Sequence, residues 1–167
     1  MKSGSVIVSA ENFISSFILP DIIIEFMNTY SGITVELVES HSHDLKNQLL
    51  EEKVDILVAH DFDPELFTSF PLADETLLLA VPVSFPVNER FTDKSLTDED
   101  VKNKKYLDKA CPTVDLQEFS DEDFLVLKKG NDMFTRTMQL CENAGFQPKV
   151  KIYPDQLLTA YNMARAG

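Results

Sequence analysis

Residues 4–59 read GSVIVSAENFISSFILPDIIIEFMNTYSGITVELVESHSHDLKNQLLEEKVDILVA, and this stretch decides the fold class. Val6–Val8 is a short apolar segment, and the apolar residues between Ile18 and Tyr30 recur at helical spacing. Ile33–Val38 then alternates between apolar and polar side chains, as a half-buried strand does. The first forty residues therefore predict a strand, a helix and a second strand.

The same order continues after a polar turn. Leucines within residues 45–50 lie on one helical stripe, and Asp55–Ala59 is typical of a buried strand. Strands that alternate with helices predict a parallel sheet, because parallel neighbours need a crossover connection. Parallel sheets bind ligands at the carboxyl ends of their strands. Candidate functional residues are therefore expected just after Val8, Val38 and Val58.

Composition and charge exclude several classes of function. The chain has 167 residues, 44% of them hydrophobic, and a formal net charge of −13. Residues 1–90 hold 4 basic and 15 acidic side chains, against 11 and 13 in residues 91–167. An acidic surface repels phosphate backbones, so these residues are not expected to bind nucleic acid themselves. No apolar run reaches the roughly 20 residues of a membrane span, and no secretory signal is visible, which favours a cytoplasmic location.

The second half of the chain has the same alternation of predicted strands and helices as the first. Leu77–Val81 predicts a strand, and residues 1–83 and 84–167 are expected to form two lobes. In the second lobe, Phe124–Leu127 and Val150–Tyr153 predict strands, each followed by a helix. Thr97 resembles a helix N-cap, Gly145 a helix C-cap, and Cys111 and Cys141 are expected to be free thiols.

Several stretches, taken in order, resemble the effector-binding domain of LysR-type transcriptional regulators. The resemblance covers nearly the whole chain, and each stretch is weak when taken alone. The matching stretches are Gly4–Pro20, Phe26–Tyr30, Leu37–Ser40, Lys53–Val58, Pro71–Leu72 with Leu77–Val83, Leu127–Asp132, Ala144–Pro148 and Asp155–Gly167.

The resemblance implies a fold and a function. It implies a two-lobed, periplasmic-binding-protein-like (type 2) α/β architecture of Rossmann-like lobes with parallel or mixed sheets, which closes on a small-molecule effector between the lobes. It further implies a homodimer (a tetramer in the full-length form) with the first long helix as a contact. DNA would be bound only through a winged helix-turn-helix preceding Met1, and a C-terminal segment would return to complete the first lobe. No cofactor, membrane partner or enzymatic activity is expected, and the sequence is interpreted as a fragment or a truncated gene.

Two rival interpretations share this architecture. One is a stand-alone solute-binding protein, and the other is an enzyme such as a phosphoribosyltransferase or deaminase. The sequence lacks a G-x-S-x-G elbow and an H-E-x-x-H helix, and its adjacent acidic residues are expected to be solvated. A winged helix-turn-helix encoded upstream would favour the regulator over both rivals.

The turn after the first strand supplies the first predicted effector contacts, which are Glu11, Asn12, Phe13 and Ser15. In the family this turn usually offers small hydroxyl residues to an anionic effector, so Glu11 departs from the pattern. A carboxylate there disfavours a dicarboxylate ligand and favours a cationic, polyol or aromatic effector. The alternative is that Glu11 points to solvent and only Asn12 and Ser15 face the ligand.

All three histidines follow the second or third strand, and His41 and His60 are predicted effector contacts. Together with His43 and nearby carboxylates they would also suit zinc or nickel, or sense pH. The simpler alternative is that these loop histidines hydrogen-bond to the backbone, and no metal site is predicted.

A second set of predicted effector contacts lies in the second half of the chain: Lys129, Gly130, Asn131 and Gln156. The first three precede a predicted helix, whose N-terminal N–H groups and nearby ammonium groups would favour a carboxylate or phosphate. The alternative is an ordinary turn with solvated lysines. Gln156 resembles a position that faces the family's ligand.

Overall fold

The computed structural model describes residues 3–39, 42–60 and 62–167, and for residues 42–44 it describes the backbone alone. The chain divides into two compact units. Unit 1 comprises Met1–Leu77 and Lys129–Asp132, and unit 2 comprises Leu78–Lys128 and Met133–Gly167. Residues 129–132 thus belong to unit 1 although both of their sequence neighbours belong to unit 2. The division into lobes 1–83 and 84–167 stays a prediction.

Unit 1 is built from alternating strands and helices. The long helix predicted from Ile18 to Tyr30 is present as α2, and a short helix precedes it. The elements are β1 (Gly4–Ala10), α1 (Asn12–Phe17), α2 (Leu19–Thr29), β2 (Ile33–Glu39), α3 (Ser42–Leu50) and β3 (Ile56–Val58).

The three strands form one parallel sheet in the order β2-β1-β3, which confirms the predicted parallel sheet. β1 is central, and its last residue, Ala10, pairs with Glu39 of β2 and with Val58 of β3. The carboxyl ends of all three strands therefore meet at one edge of the sheet.

Each face of β1 packs against different elements, as the alternation of its side chains requires. Val8 and Ala10 join Ile14 and Leu19 in a buried cluster. Ser9, which is fully buried, points to the other face, where its hydroxyl donates to the Val38 carbonyl at 3.1 Å and lies 3.2 Å from Gln48 Oε1 of α3. The sheet is thus flanked by helices on both faces.

Unit 2 contains a smaller parallel sheet of two strands, β4 (Asp123–Leu125) and β5 (Lys149–Ile152). Both strands lie within two residues of their predicted positions. Its other elements are 3₁₀ turns at Pro86–Arg90, Lys105–Leu107 and Leu116–Phe119, and helices α4 (Asp98–Lys102), α5 (Asp132–Asn143, which begins in unit 1) and α6 (Leu157–Ala166). Its buried core consists of Val87, Phe119, Phe124, Val126 and Cys141.

Gly145 ends α5 as predicted. Its φ of +85° lies in the left-handed region that favours glycine. The Gly145 N–H donates to the Glu142 carbonyl at 2.9 Å, and the Phe146 N–H donates to the Cys141 carbonyl at 3.0 Å. These two bonds satisfy carbonyls that the end of a helix would leave open.

The predicted strand at Leu77–Val81 is wrong. These residues form no strand, and the side chains of Leu77, Leu78 and Leu79 are 37% to 48% exposed. A strand requires a hydrogen-bonded neighbour, and none of the described segments pairs with this one. An apolar composition therefore does not suffice to form a strand here.

The predicted cap at Thr97 is confirmed as a capping box at the start of α4. The Asp100 N–H donates to Thr97 Oγ1 at 3.1 Å, and the Thr97 N–H donates to the Asp100 carboxylate at 3.0 Å. The hydrogen bond from the Thr97 backbone, followed by that from the Lys105 ammonium, lowers the pKa of Asp100 to about 2.

The titration of Asp100 provides a direct test of this capping box. Because the pKa of the folded state is lowered, the contribution of Asp100 to stability is present above about pH 4 and is lost as the pH falls through about 2. In an NMR titration we expect a midpoint near pH 2 for Asp100. The Lys105→Ala variant should move the midpoint toward the ordinary value for aspartate. An unperturbed midpoint in the wild-type protein would contradict the capping geometry.

Candidate functional site

The carboxyl edge of the unit 1 sheet gathers residues from three parts of the chain. Glu11 and Asn12 directly follow β1, Glu39 ends β2, and His60 lies two residues beyond β3. The pairing of Ala10 with both Glu39 and Val58 brings these chain ends side by side. This is the edge at which open parallel α/β sheets bind ligands.

Asn12 and Glu39 contact each other directly across this edge. Asn12 Nδ2 donates to Glu39 Oε2 at 3.0 Å. Asn12 is the first residue of α1, so this bond joins the start of α1 to the end of β2. This hydrogen bond orients the amide at a position where the sequence predicts an effector contact.

The other predicted effector contacts after β1 differ in their solvent exposure and in their contacts. Glu11 is the N-cap residue of α1, and its carbonyl accepts the Ser15 N–H at 2.9 Å. Ser15 is 3% exposed, and its hydroxyl lies 3.5 Å from the Ala10 carbonyl. Its side chain therefore faces the backbone at the end of β1. Phe13 is 40% exposed, and its ring lies 5.2 Å from that of Phe17.

His60 lies between two carboxylates that come from distant parts of the sequence. Its Nδ1 is 3.4 Å from Glu75 Oε2, and its Nε2 is 4.0 Å from Asp132 Oδ2. The Asp132 side chain is 24% exposed, with both carboxylate oxygens shielded from solvent, and the Glu75 side chain is 41% exposed. The imidazole, which follows β3, therefore lies near the segment Lys129–Asp132.

The turn before α5 does not leave a helix N-terminus open to an anion from solution. The ammonium group of Lys128 lies 3.6 Å from Asp155 Oδ1, and Lys129 is exposed. Gly130 has a φ of +101°, so the turn uses a conformation that favours glycine. Asp132 is the first residue of α5, so a carboxylate of the chain itself already stands where the helix dipole favours negative charge.

Most of the predicted effector contacts lie in unit 1. These are Glu11, Asn12, Phe13, Ser15, His60, Lys129, Gly130 and Asn131. Gln156 belongs to unit 2, where it is the N-cap residue of α6. His41 lies outside the described residues. The whole set stays a prediction.

Three acidic residues at this edge were missed by sequence reasoning. Glu39 ends a strand and Asp132 begins a helix, so both occupy positions that the pattern of elements could have indicated. Glu75 carries no such signal, since it lies in a segment without a strand or helix. In the part of the chain that the structure describes, no three His, Cys, Asp or Glu side chains group closely enough to hold a metal ion.

Unit 1 also has an apolar groove of about 340 Å³ on the face of the sheet that carries α2. Ile22 of α2 and Ile56 of β3 are each more than 40% exposed beside it. Among the residues that the structure describes, none with a charged side chain lines the groove. Its lining consists of Ser3, Gly4, Ser5, Val6, Val8, Leu19, Ile22, Ile23, Phe26, Ile33, Val35, Ile56, Val58 and Leu72.

Sequence comparison matches all 167 residues to one family, described as the LysR substrate binding domain. A curated relative is an uncharacterized HTH-type transcriptional regulator of Bacillus subtilis, YwbI. It is 28% identical over 151 residues, which are 90% of this chain and 43% of the relative. The chain spans about half the length of the curated relatives it matches.

Structure comparison finds the same fold in solved domains. The C-terminal domain of a probable LysR family regulator from Rhodococcus sp. RHA1 superposes with a TM-score of 0.70 at 19% identity, over 99% of this chain and 71% of that one. The effector binding domain of QuiR in complex with shikimate gives a TM-score of 0.73 at 16% identity, over 98% and 69%. These likenesses show the fold.

Proposed function

The chain belongs to the LysR substrate-binding domain family, and we propose that it is the effector-sensing part of a longer regulator that binds DNA through a separate domain. The family match over the whole chain is the observation that carries this proposal. Two further facts support it: the relatives are transcriptional regulators about twice as long as this chain, and QuiR, which has the same fold, binds shikimate.

The proposed activity is ligand sensing without catalysis, in the cytoplasm. An effector changes the output of such a domain only if its affinity differs between two conformations, because equal affinity for both shifts neither population. No helix in the described chain is long and apolar enough to cross a membrane. The two rival interpretations are a stand-alone binding protein and an enzyme. In either case this domain would act without a DNA-binding domain.

We place the effector at the carboxyl edge of the unit 1 sheet, with Asn12 as the residue to test first. Purified protein is screened by thermal shift against amino acids, organic acids, sugars, amines and divalent metals. A ligand at 100 times its dissociation constant should stabilise the protein by about 2.7 kcal/mol. We expect the Asn12→Ala variant to lose the shift, since it removes the donor to Glu39.

Asn162→Ala is the matched control for this screen. Asn162 is exposed on α6 in unit 2, so its replacement should leave the shift unchanged. Absence of any thermal shift in the wild-type protein would contradict effector binding by this chain. If both variants lost the shift equally, the proposed location of the ligand at the unit 1 edge would be wrong. A shift with metals alone would instead favour the metal alternative.

We further propose that two copies of the chain pair through α2. Ile22, Ile24 and Met27 of this helix, and Tyr30 directly after it, are each more than 40% exposed, and no charged side chain of the described residues lines the adjoining groove. Two strongly acidic chains repel each other, so an uncharged apolar patch is where they can approach at least cost. The second copy is the occupant that this patch would then bury.

Sedimentation velocity tests this pairing. The wild-type protein is expected to dimerise more tightly as salt rises from about 0.05 to 0.5 M, because screening weakens the repulsion. The Ile24→Glu variant should be monomeric, whereas Leu107→Glu, at an equally exposed leucine in unit 2, should still dimerise. A wild-type protein that stays monomeric at all salt concentrations would contradict the proposal. The groove would then be expected to bind another segment of a longer protein.

A further inference from the structure

We propose that Glu39 determines which group of the effector meets Asn12, and that this group is a hydrogen-bond donor, either a hydroxyl or an N–H. This inference rests on the proposed function, because it assigns a chemical class to the ligand at the same edge of unit 1. The observation that carries it is the hydrogen bond in which Asn12 Nδ2 donates to Glu39 Oε2 at 3.0 Å.

The sheet and the first helix fix where the two side chains start. Glu39 is the last residue of β2 and pairs with Ala10, the last residue of β1. Asn12 begins α1 directly beyond the turn that follows Ala10, and Ala10 itself is fully buried. The hydrogen bonds of the sheet therefore bring the carboxylate beside the amide before any ligand binds, and such preorganisation lowers the free-energy cost of binding.

The chemistry of the carboxylate decides how the Asn12 amide is turned. An asparagine amide can rotate by half a turn, which exchanges the places of its oxygen and its nitrogen. An ionised carboxylate accepts hydrogen bonds but cannot donate them, so only the nitrogen of Asn12 is favourable beside Glu39. The opposite orientation would place the partly negative amide oxygen against a full negative charge. Glu39 is therefore a positioning residue that leaves the amide one orientation.

This orientation leaves the amide oxygen of Asn12 available to a ligand. None of the residues that the structure describes donates a hydrogen bond to Asn12 Oδ1, and the side chain is half-buried. Donation to a carboxylate polarises the amide and strengthens its oxygen as an acceptor. A ligand hydroxyl or N–H satisfies this oxygen, whereas an ether oxygen or a fluorine displaces water and leaves it without a partner. The cost of that unpaired acceptor is the source of the selectivity.

Probes that differ in a single donor test this preference. Indole is compared with benzofuran, and cyclohexanol with fluorocyclohexane, because the members of each pair have nearly the same size and only the first carries an N–H or O–H. Dissociation constants for the wild-type chain are measured by ligand-observed NMR, which tolerates weak binding. We expect the donor of each pair to bind about tenfold more tightly than its partner, which corresponds to about 1.4 kcal/mol.

Variants separate the role of Glu39 from that of Asn12. Glu39→Gln should reduce the preference below about threefold, because a glutamine amide can either accept from Asn12 Nδ2 or donate to Asn12 Oδ1, so both orientations become available. Asn12→Ala should abolish the preference. Glu36→Gln removes the same charge at another exposed position of β2 and should leave the preference unchanged. The ratio of the two dissociation constants is the readout because loss of folded protein weakens both members of a pair alike.

The side-chain amide of Asn12 provides a second readout that needs no ligand. In proton–nitrogen correlation spectra, the Asn12 amide proton that is bonded to Glu39 should resonate downfield. Glu39→Gln should move this resonance upfield, because a neutral acceptor polarises the N–H less than a carboxylate does. Glu36→Gln should leave it in place. An unmoved resonance in Glu39→Gln would overturn the positioning contact.

The possible results distinguish this inference from the proposed function. Equal affinities within the pairs, or tighter binding of benzofuran and fluorocyclohexane, would overturn the donor preference and leave effector binding standing. A preference that persists in Glu39→Gln would overturn the role of Glu39. Absence of binding by every probe would overturn the inference, and the proposed function would fall with it only if the thermal-shift screen also gave no shift.

Discussion

Replacement of Leu45 by alanine is expected to lower the free energy of unfolding of unit 1 by about 3 kcal/mol. Leu45 is 1% exposed and is among the largest fully buried side chains of the described residues. It lies in α3, whose Gln48 contacts Ser9 on the face of the sheet opposite α2. Truncation therefore removes buried apolar surface and leaves a cavity between helix and sheet.

Leu50→Ala in the same helix is the matched control. Leu50 is 56% exposed, so its truncation should change the free energy of unfolding by less than about 0.5 kcal/mol. Urea unfolding is followed by hydrogen exchange of peptides from unit 1, which separates this unit from unit 2. Similar losses for the two variants would contradict the burial of the inner face of α3.

The two cysteines are expected to differ at least about 100-fold in their rate of alkylation. Both are free thiols, as the sequence predicts, but Cys141 is 1% exposed and Cys111 is partly exposed. Burial raises the pKa of the Cys141 thiol, and the thiolate is the species that reacts. Modification of Cys141 also requires local opening, and an opening cost of about 3 kcal/mol alone slows the reaction more than 100-fold.

Mass spectrometry of iodoacetamide-treated protein at pH 8 measures both rates. The variants Cys111→Ser and Cys141→Ser allow each thiol to be followed alone, and in 6 M urea the two rates should converge. Equal rates in the native protein would show that the core around Phe124 and Val126 does not enclose Cys141.

The periodicity of residues 4–59 was sufficient to predict the three strands and the two longer helices of unit 1. Alternation along β2 and helical spacing along α2 reflect which side chains must be buried, so local pattern and tertiary packing agree there. At Leu77–Val81 they disagree. The apolar composition predicts a strand, but strand formation depends on a hydrogen-bonded neighbour that the sequence of the segment does not encode.

The sequence indicated the edge of the sheet at which a site is expected, but not which side chains meet there. Parallel topology alone directs attention to the residues after Val8, Val38 and Val58, and Asn12 and His60 are among them. The partners of His60 were not foreseen, because Glu75 and Asp132 are distant from it in the sequence. Ser15, predicted to face a ligand, is buried with its hydroxyl toward the Ala10 carbonyl.

The sequence by itself determined the α/β class, the parallel sheet of unit 1, the family and the edge at which ligands are expected. These follow from periodicity and ordered motifs, which are properties of neighbouring residues. Only the tertiary structure decided that Asn12 pairs with Glu39, that His60 lies between Glu75 and Asp132, and that α5 begins on a buried carboxylate. Such contacts depend on how distant segments pack, and packing brings together side chains whose spacing in the chain carries no signal.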